Sequence, residues 1–182
     1  VTSVILQDVK YPHNLAAAIR ACACFGVEQL LWTGERFSFS DKERLPREER
    51  MKGYSDVNVQ ADERPFDVID ATHKKSGFMT PVKICVELTP DAMPLTRFTH
   101  PESAIYVFGP EDGHVTQAFR RLCHIFVYIP SYHCLNLAAA LNVVLAHRMM
   151  QRQLMGKLPC GRASDLLKET RGEIAVPGWE GK

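Results

Sequence analysis

The sequence predicts an α/β domain built on a mainly parallel sheet with helices on both faces. Short apolar runs recur along it, at residues 3–9, 27–32, 104–108 and 124–129, as strands buried on both faces do. Between the first two runs lies the Ala-rich segment Leu15-Ala16-Ala17-Ala18-Ile19-Arg20-Ala21-Cys22-Ala23-Cys24-Phe25, a good helix former. Strand, helix and strand in so short a span imply a crossover and hence parallel pairing.

The elements follow in order. Asn14 suits the N-cap of the first helix and Gly26 its C′ position. Residues 41–52 are charged and mixed in sign, an exposed helix or loop with Pro46 as an interruption. Residues 56–59 suit a short strand, and 66–75 a helix ending before Gly77. Residues 82–88 alternate apolar with polar and form the next strand, while 89–101, with Pro90, Pro94 and Pro101, form a loop. The strand at 104–108 runs into the turn Gly109-Pro110-Glu111-Asp112-Gly113. A short helix at 116–122, a strand at 124–129 stopped by Pro130, and a long helix at 136–154, apolar on one side, complete the pattern. The expected count is about six strands, in one domain over residues 1–156 with a C-terminal extension at 157–182.

Composition narrows the function. The chain has 182 residues, enough for one domain with a sizeable core, and 46% of them are hydrophobic. A net charge of +1 excludes a histone-like binder, so any nucleic-acid surface must be a local patch. No apolar run approaches the roughly 18 residues of a membrane span. The opening Val1-Thr2-Ser3-Val4-Ile5-Leu6 lacks a basic segment followed by a long apolar one, so no secretory signal and a cytoplasmic protein are expected. The six cysteines lie in apolar stretches without paired zinc-type spacings, which points to reduced core thiols and no metal.

In open parallel sheets, ligands bind beyond the carboxyl ends of the strands. Three loops occupy such positions: residues 11–20, 109–113 and 130–136. Gly109 and Gly113 permit a tight turn and close backbone approach, and Glu111 places a carboxylate there. Pro130 fixes a bend, Asn136 offers donor and acceptor at a helix start, and Arg20 carries a permanent charge. Each also has a plainer reading as a turn former, a cap or a surface cation. Neither a GxGxxG fingerprint nor a Walker lysine loop is present, which disfavours an NAD- or nucleotide-binding enzyme.

The three loops together resemble the SpoU (TrmH-like) branch of the SPOUT RNA methyltransferases. Tyr11-Pro12-His13-Asn14 through Arg20 to Phe25-Gly26-Val27 is similar to that family's first motif. Val107-Phe108-Gly109-Pro110-Glu111-Asp112-Gly113 resembles its second, with the glycine after Glu111 one residue early. Ile129-Pro130 through Leu135-Asn136-Leu137-Ala138 resembles its third, with Cys134 in place of serine and a shorter loop before it. The motifs stand in family order over residues 3–154.

The resemblance implies a C-terminal trefoil knot, S-adenosylmethionine as cofactor and a homodimer. It implies 2′-O-methylation of a ribose in RNA, with transfer RNA expected over ribosomal RNA. Phe108, Gly109, Glu111, Gly113, Ile129, Pro130, Cys134, Leu135, Asn136 and Leu137 would hold the cofactor, and Arg20, Asn14, Glu111 and Asn136 would form the catalytic group. Arg20 is expected to stabilise the ribose oxyanion, while Glu111 orders Arg20, Asn14 or the ribose. The expected RNA contacts are Arg20 with Lys42, Arg44, Arg47, Arg50 and Lys52, together with Arg148 and Arg152. The alternatives are a non-catalytic RNA-binding relative, to which Cys134 and the short loop would belong, and a base methyltransferase.

Overall fold

A computed structural model describes residues 1–36, 57–77 and 79–158. The element order is β1 (Thr2–Leu6), α1 (Pro12–Cys24), β2 (Gln29–Trp32), β3 (Asn58–Ala61), α2 (Pro65–Ser76), β4 (Val82–Val86), β5 (Met93–Pro94), a 3₁₀ turn at Leu95–Arg97, β6 (Ala104–Phe108), α3 (Gln117–Leu122), β7 (Ile125–Tyr128) and α4 (Leu137–Leu154). The charged segment at 41–52 and most of the extension expected at 157–182 lie outside the described residues.

The strands form one seven-stranded sheet in the order β3-β2-β1-β6-β4-β7-β5. Every pairing is parallel, as in Val4 against Leu30 and Tyr106, or Ile84 against Tyr106 and Ile125. The central strands β1 and β6 are buried at every position, and the edge strand β3 is mostly exposed. This gradient explains the apolar runs: a central strand covered on both faces has no polar side to show.

Alternate residues of these strands feed two cores. Val4, Leu6, Tyr106 and Phe108 pack with Leu15, Ile19 and Cys22 of α1 and Leu141, Val144 and Leu145 of α4. Ile5, Ile105 and Val107 face the other way, toward Phe66 and Ile69 of α2, Val115, and Phe119 of α3. Helices therefore cover both faces, as expected from the sequence.

Two departures concern helix and strand ends. The first helix opens at Pro12 with Tyr11 at the N-cap, so Asn14 is an interior residue and not the cap. Proline at the first helical position explains the earlier start, since its ring presets the helical φ and its missing N–H is not needed there. The segment 89–101 contributes the two-residue strand β5 beside β7. A pair ending in proline leaves no periodic signal for a strand. Gly77 behaves as expected: at φ +69° it closes α2, its N–H reaching the last turn.

Candidate active site

The strand order reverses at the centre of the sheet. From β1 the chain steps outward to β2 and β3 on one side, while β6, β4, β7 and β5 lie on the other. The crevice beyond the carboxyl ends of β1 and β6 is the position at which open α/β sheets bind ligands. The loops after these two strands are cross-linked there. Gln7 donates from Nε2 to Thr116 Oγ1 (2.6 Å), and its Oε1 accepts from the Thr116 N–H (2.8 Å).

A chain of hydrogen bonds runs through this crevice and joins all three motif loops. Glu111 accepts from the backbone N–H of Lys10 (2.9 Å) and of Tyr11 (3.4 Å), and from Asn14 Nδ2 (2.6 Å). Asn14 Oδ1 accepts from Asn136 Nδ2 (2.9 Å), and Asn136 Oδ1 caps α4 by accepting from the N–H of Ala138 (2.9 Å) and Ala139 (3.4 Å). Each amide orientation follows from its neighbours, because turning either one over would set oxygen against oxygen and N–H against N–H. Burial pushes the Glu111 carboxyl up, but the Asn14 amide and the backbone N–H groups outweigh it and hold the carboxyl below its ordinary value. Asn14 is therefore a buried tie between loops.

Outside this chain, Lys10 pairs with Asp112 (2.9 Å), and Arg36 joins Asp112 (2.7 Å) to Asp8 (2.6 Å). Hydrogen bonds from Lys10 and Arg36 pull the Asp112 carboxyl down to about 2. These side chains are exposed, so the network shapes the surface charge more than the stability.

Next to the crevice lies an open cavity of about 730 Å³ between the carboxyl end of β4 and the loop leading into α4. It is lined by Val86, Glu87 and Leu88 on one side, and by Tyr128, Ile129, Pro130, Ser131, Tyr132, His133, Cys134, Leu135 and Ala140 on the other. Of the residues expected to hold the cofactor, Ile129, Pro130, Cys134 and Leu135 line this cavity. Phe108 and Leu137 are core residues outside its lining. Gly109 and Gly113 bound the neighbouring loop, and Asn136 caps the helix beside it. Gly109 has a specific reason to lack a side chain: a Cβ there would stand 2.8 Å from the Val115 nitrogen. Val86, Glu87 and Leu88 escaped the sequence reading because an alternating strand end carries no mark of a binding role.

The structure places the arginines differently. Arg20 is exposed near the end of α1. Arg148 is buried, 7% exposed, and donates to Thr2 Oγ1 and to the carbonyls of Pro101 and Glu102, so it is corrected from an RNA contact to a structural cation. A charge on an amphipathic helix usually faces water; here the segment before β6 folds over it. Lys42, Arg44, Arg47, Arg50 and Lys52 lie outside the described residues. Among the described residues, no group of His, Cys, Asp or Glu is placed to hold a metal ion, and no helix is long and apolar enough to cross a membrane.

Fold and site define an α/β protein with three loops cross-linked at the sheet's switch point and an open cavity beside them. The match of residues 2–146 to the SpoU rRNA methylase family model makes the chain a member of that family, a family of RNA methyltransferases. No curated protein sequence matches it significantly. Among solved structures, it is similar to the TrmH/SpoU tRNA modifying enzyme of A. aeolicus: 20% identity, 92% of this chain and 84% of that one, TM-score 0.69. It also resembles the SpoU methyltransferase AviRb of Streptomyces viridochromogenes in complex with AdoMet: 22% identity, 84% of this chain and 60% of that one, TM-score 0.70. A third structure, solved for the 2-OH methylation of C/U34 on tRNA, matches at 18% identity over 84% of this chain and 91% of its own, TM-score 0.62.

Proposed function

We propose that this protein transfers a methyl group from S-adenosylmethionine to a ribose 2′-hydroxyl of RNA, with transfer RNA as substrate, and that it works as a homodimer. The observation that carries this reading is the hydrogen-bond chain Glu111–Asn14–Asn136, which ties the three loops into one unit beside the cavity. Among the solved neighbours, one is a tRNA modifying enzyme and another concerns 2-OH methylation of tRNA, which supports this reading.

The cofactor is S-adenosylmethionine, and the cavity suits it. Its volume is typical of a small-molecule site, and Val86, Leu88, Ile129, Leu135 and Ala140 offer apolar contact for an adenine ring. Bound there, the cofactor supplies a methyl group already activated on a sulfonium. What remains for the protein is to align the hydroxyl, stabilise charge on its oxygen and let the displaced proton pass to water. Arg20 supplies the stabilising charge. It does not act as the base, because a guanidinium keeps its proton. Glu111 and Asn14 hold the first motif so that Arg20 is presented at a fixed position along α1.

The dimer reading draws on the apolar side chains left exposed on and after α4: Val143, Met150, Leu154 and Met155. In such a dimer, Arg20 of one protomer serves the cofactor of its partner. A trefoil knot in the C-terminal part of the domain belongs to the same reading. The strand order, which sets β7 outside β4 while α4 returns over β1 and β6, is compatible with it. Lys42, Arg44, Arg47, Arg50 and Lys52 complete the reading as RNA phosphate contacts, and the cytoplasm as its location.

The test is transfer of labelled methyl from S-adenosylmethionine to transfer RNA and to ribosomal RNA, with the nucleosides identified after digestion. The expected product is a 2′-O-methylated nucleoside from transfer RNA, formed roughly 10²–10³ times more slowly by Arg20→Ala. A base-methylated product would overturn the ribose assignment. No transfer and no cofactor binding would leave a non-catalytic RNA-binding protein.

A further inference from the structure

Glu87 belongs to none of the three motifs, yet it is the acidic residue in the lining of the cavity. It follows the last residue of β4, and its side chain is only 15% exposed. Its Oε2 accepts from the backbone N–H of Val115 (3.1 Å). Its Oε1 accepts from the N–H of Leu88 (3.1 Å) and lies 3.3 Å from Nδ1 of His114. Its own N–H donates to the Val127 carbonyl (2.9 Å), at the end of β7. One residue therefore links three segments: the end of β4, the end of β7 and the returning limb of the loop after β6.

The returning limb has little freedom. The Val115 nitrogen packs so tightly on Gly109 that a methyl group would not fit between them. A carboxylate bond to that same N–H fixes where the limb turns, and with it the separation of the second-motif loop from the cavity wall. A charged acceptor is suited to the task, since its hydrogen bonds to backbone N–H groups are stronger than neutral ones.

We propose that Glu87 is a positioning residue for cofactor binding: it locks the loop carrying Gly109, Glu111 and Gly113 against the cavity. The inference rests on the reading of the cavity as the cofactor site. Glu87 sets affinity for the cofactor through the loop and leaves recognition of RNA to other residues. The side-chain amide of glutamine keeps the shape and one acceptor oxygen, so Glu87→Gln can serve Val115 or the Leu88 side but not both.

Two measurements on the full chain test this. The first is hydrogen exchange of the backbone amides across residues 109–116. Glu87→Gln is expected to speed exchange there about tenfold, corresponding to about 1.4 kcal/mol, with exchange in β1 and α4 unchanged. The second is calorimetric binding of S-adenosylmethionine and S-adenosylhomocysteine, expected to weaken about tenfold for both ligands in Glu87→Gln while the KM for RNA holds. Glu87→Ala is expected to show larger effects in the same direction, and where it fails to fold the glutamine variant decides. Unchanged loop exchange, or unchanged cofactor affinity, in Glu87→Gln would overturn the proposal. If the parent protein binds neither ligand, the functional reading of the cavity fails, and so does the assigned role of Glu87, whatever its loop exchange shows.

Discussion

Two polar networks brace the same elements at opposite ends of the sheet, and they are built differently. At the carboxyl ends, Glu111, Asn14 and Asn136 connect the loop after β6, helix α1 and the N-terminus of α4. At the other end, Arg148 and Gln151 of α4 tie down the segment before β6: Arg148 through Thr2, Pro101 and Glu102, Gln151 through Phe98 and His100. His100 completes that cluster between Tyr106 Oη (2.5 Å) and His147 (2.8 Å). The second network is turned inward, with Arg148 and His100 at 7% and 6% exposure. The first runs from buried Asn14 to exposed Asn136 beside an open cavity. A closed network serves the fold, and a network with one end in solvent can also meet a ligand.

Breaking the closed network should cost the most stability. Arg148→Ala leaves two carbonyls and a hydroxyl without their donor and opens a void under α4. The expected loss is about 3 kcal/mol of unfolding free energy, measured by urea denaturation. Cofactor affinity of the folded fraction should stay within about twofold, because no Arg148 contact reaches the cavity. A large loss of affinity at constant stability would erase the distinction between the two ends.

Asn14→Ala should do the reverse. It removes one donor from Glu111 and one acceptor from Asn136, an expected cost of about 1–2 kcal/mol in stability. Methyl transfer should fall by more than tenfold even where the variant is fully folded, because all three loops lose their common tie. A rate loss no greater than the loss of folded protein would reduce Asn14 to a structural residue.

The unequal legibility of the two ends has a physical origin. Central strands were readable because burial on both faces leaves uninterrupted apolar runs, as in Ala104–Phe108, where expected and observed bounds coincide. Gly77 was readable because a left-handed helix end favours one residue type. Asn14, Glu111 and Asn136 were legible as a family pattern, but their mutual bonds were not, since they join residues 97 and 122 positions apart. Asn14 itself was misread as a cap because an asparagine before an alanine run fits that local rule, while its real partner is distant. Glu87 and Arg148 lay beyond sequence reading for the same reason: a charge at a strand end or on a helix looks solvated until a remote segment covers it.

The smallest expected effect separates the networks by pH. Burial, with the neighbouring charges of His147 and Arg148 adding to it, lowers His100 to about 3, so the folded protein keeps it neutral where the unfolded chain takes up a proton. Its contribution to stability is complete above the ordinary value of 6.5 and drains away as the pH falls from there toward 3. Between pH 7 and pH 6 the expected loss is below about 1 kcal/mol, and His100→Gln should flatten that interval. Glu111, also held below its ordinary value, contributes above 4.5 and loses that contribution only in stronger acid, so Glu111→Gln should leave the pH 6–7 slope intact and flatten the curve below 4.5. Urea denaturation across pH 7 to 3.5 for the parent and both variants checks the assignment. If His100→Gln leaves the slope near neutrality unchanged, the inward-facing cluster does not hold its histidine neutral, and its closure to water is the step that fails.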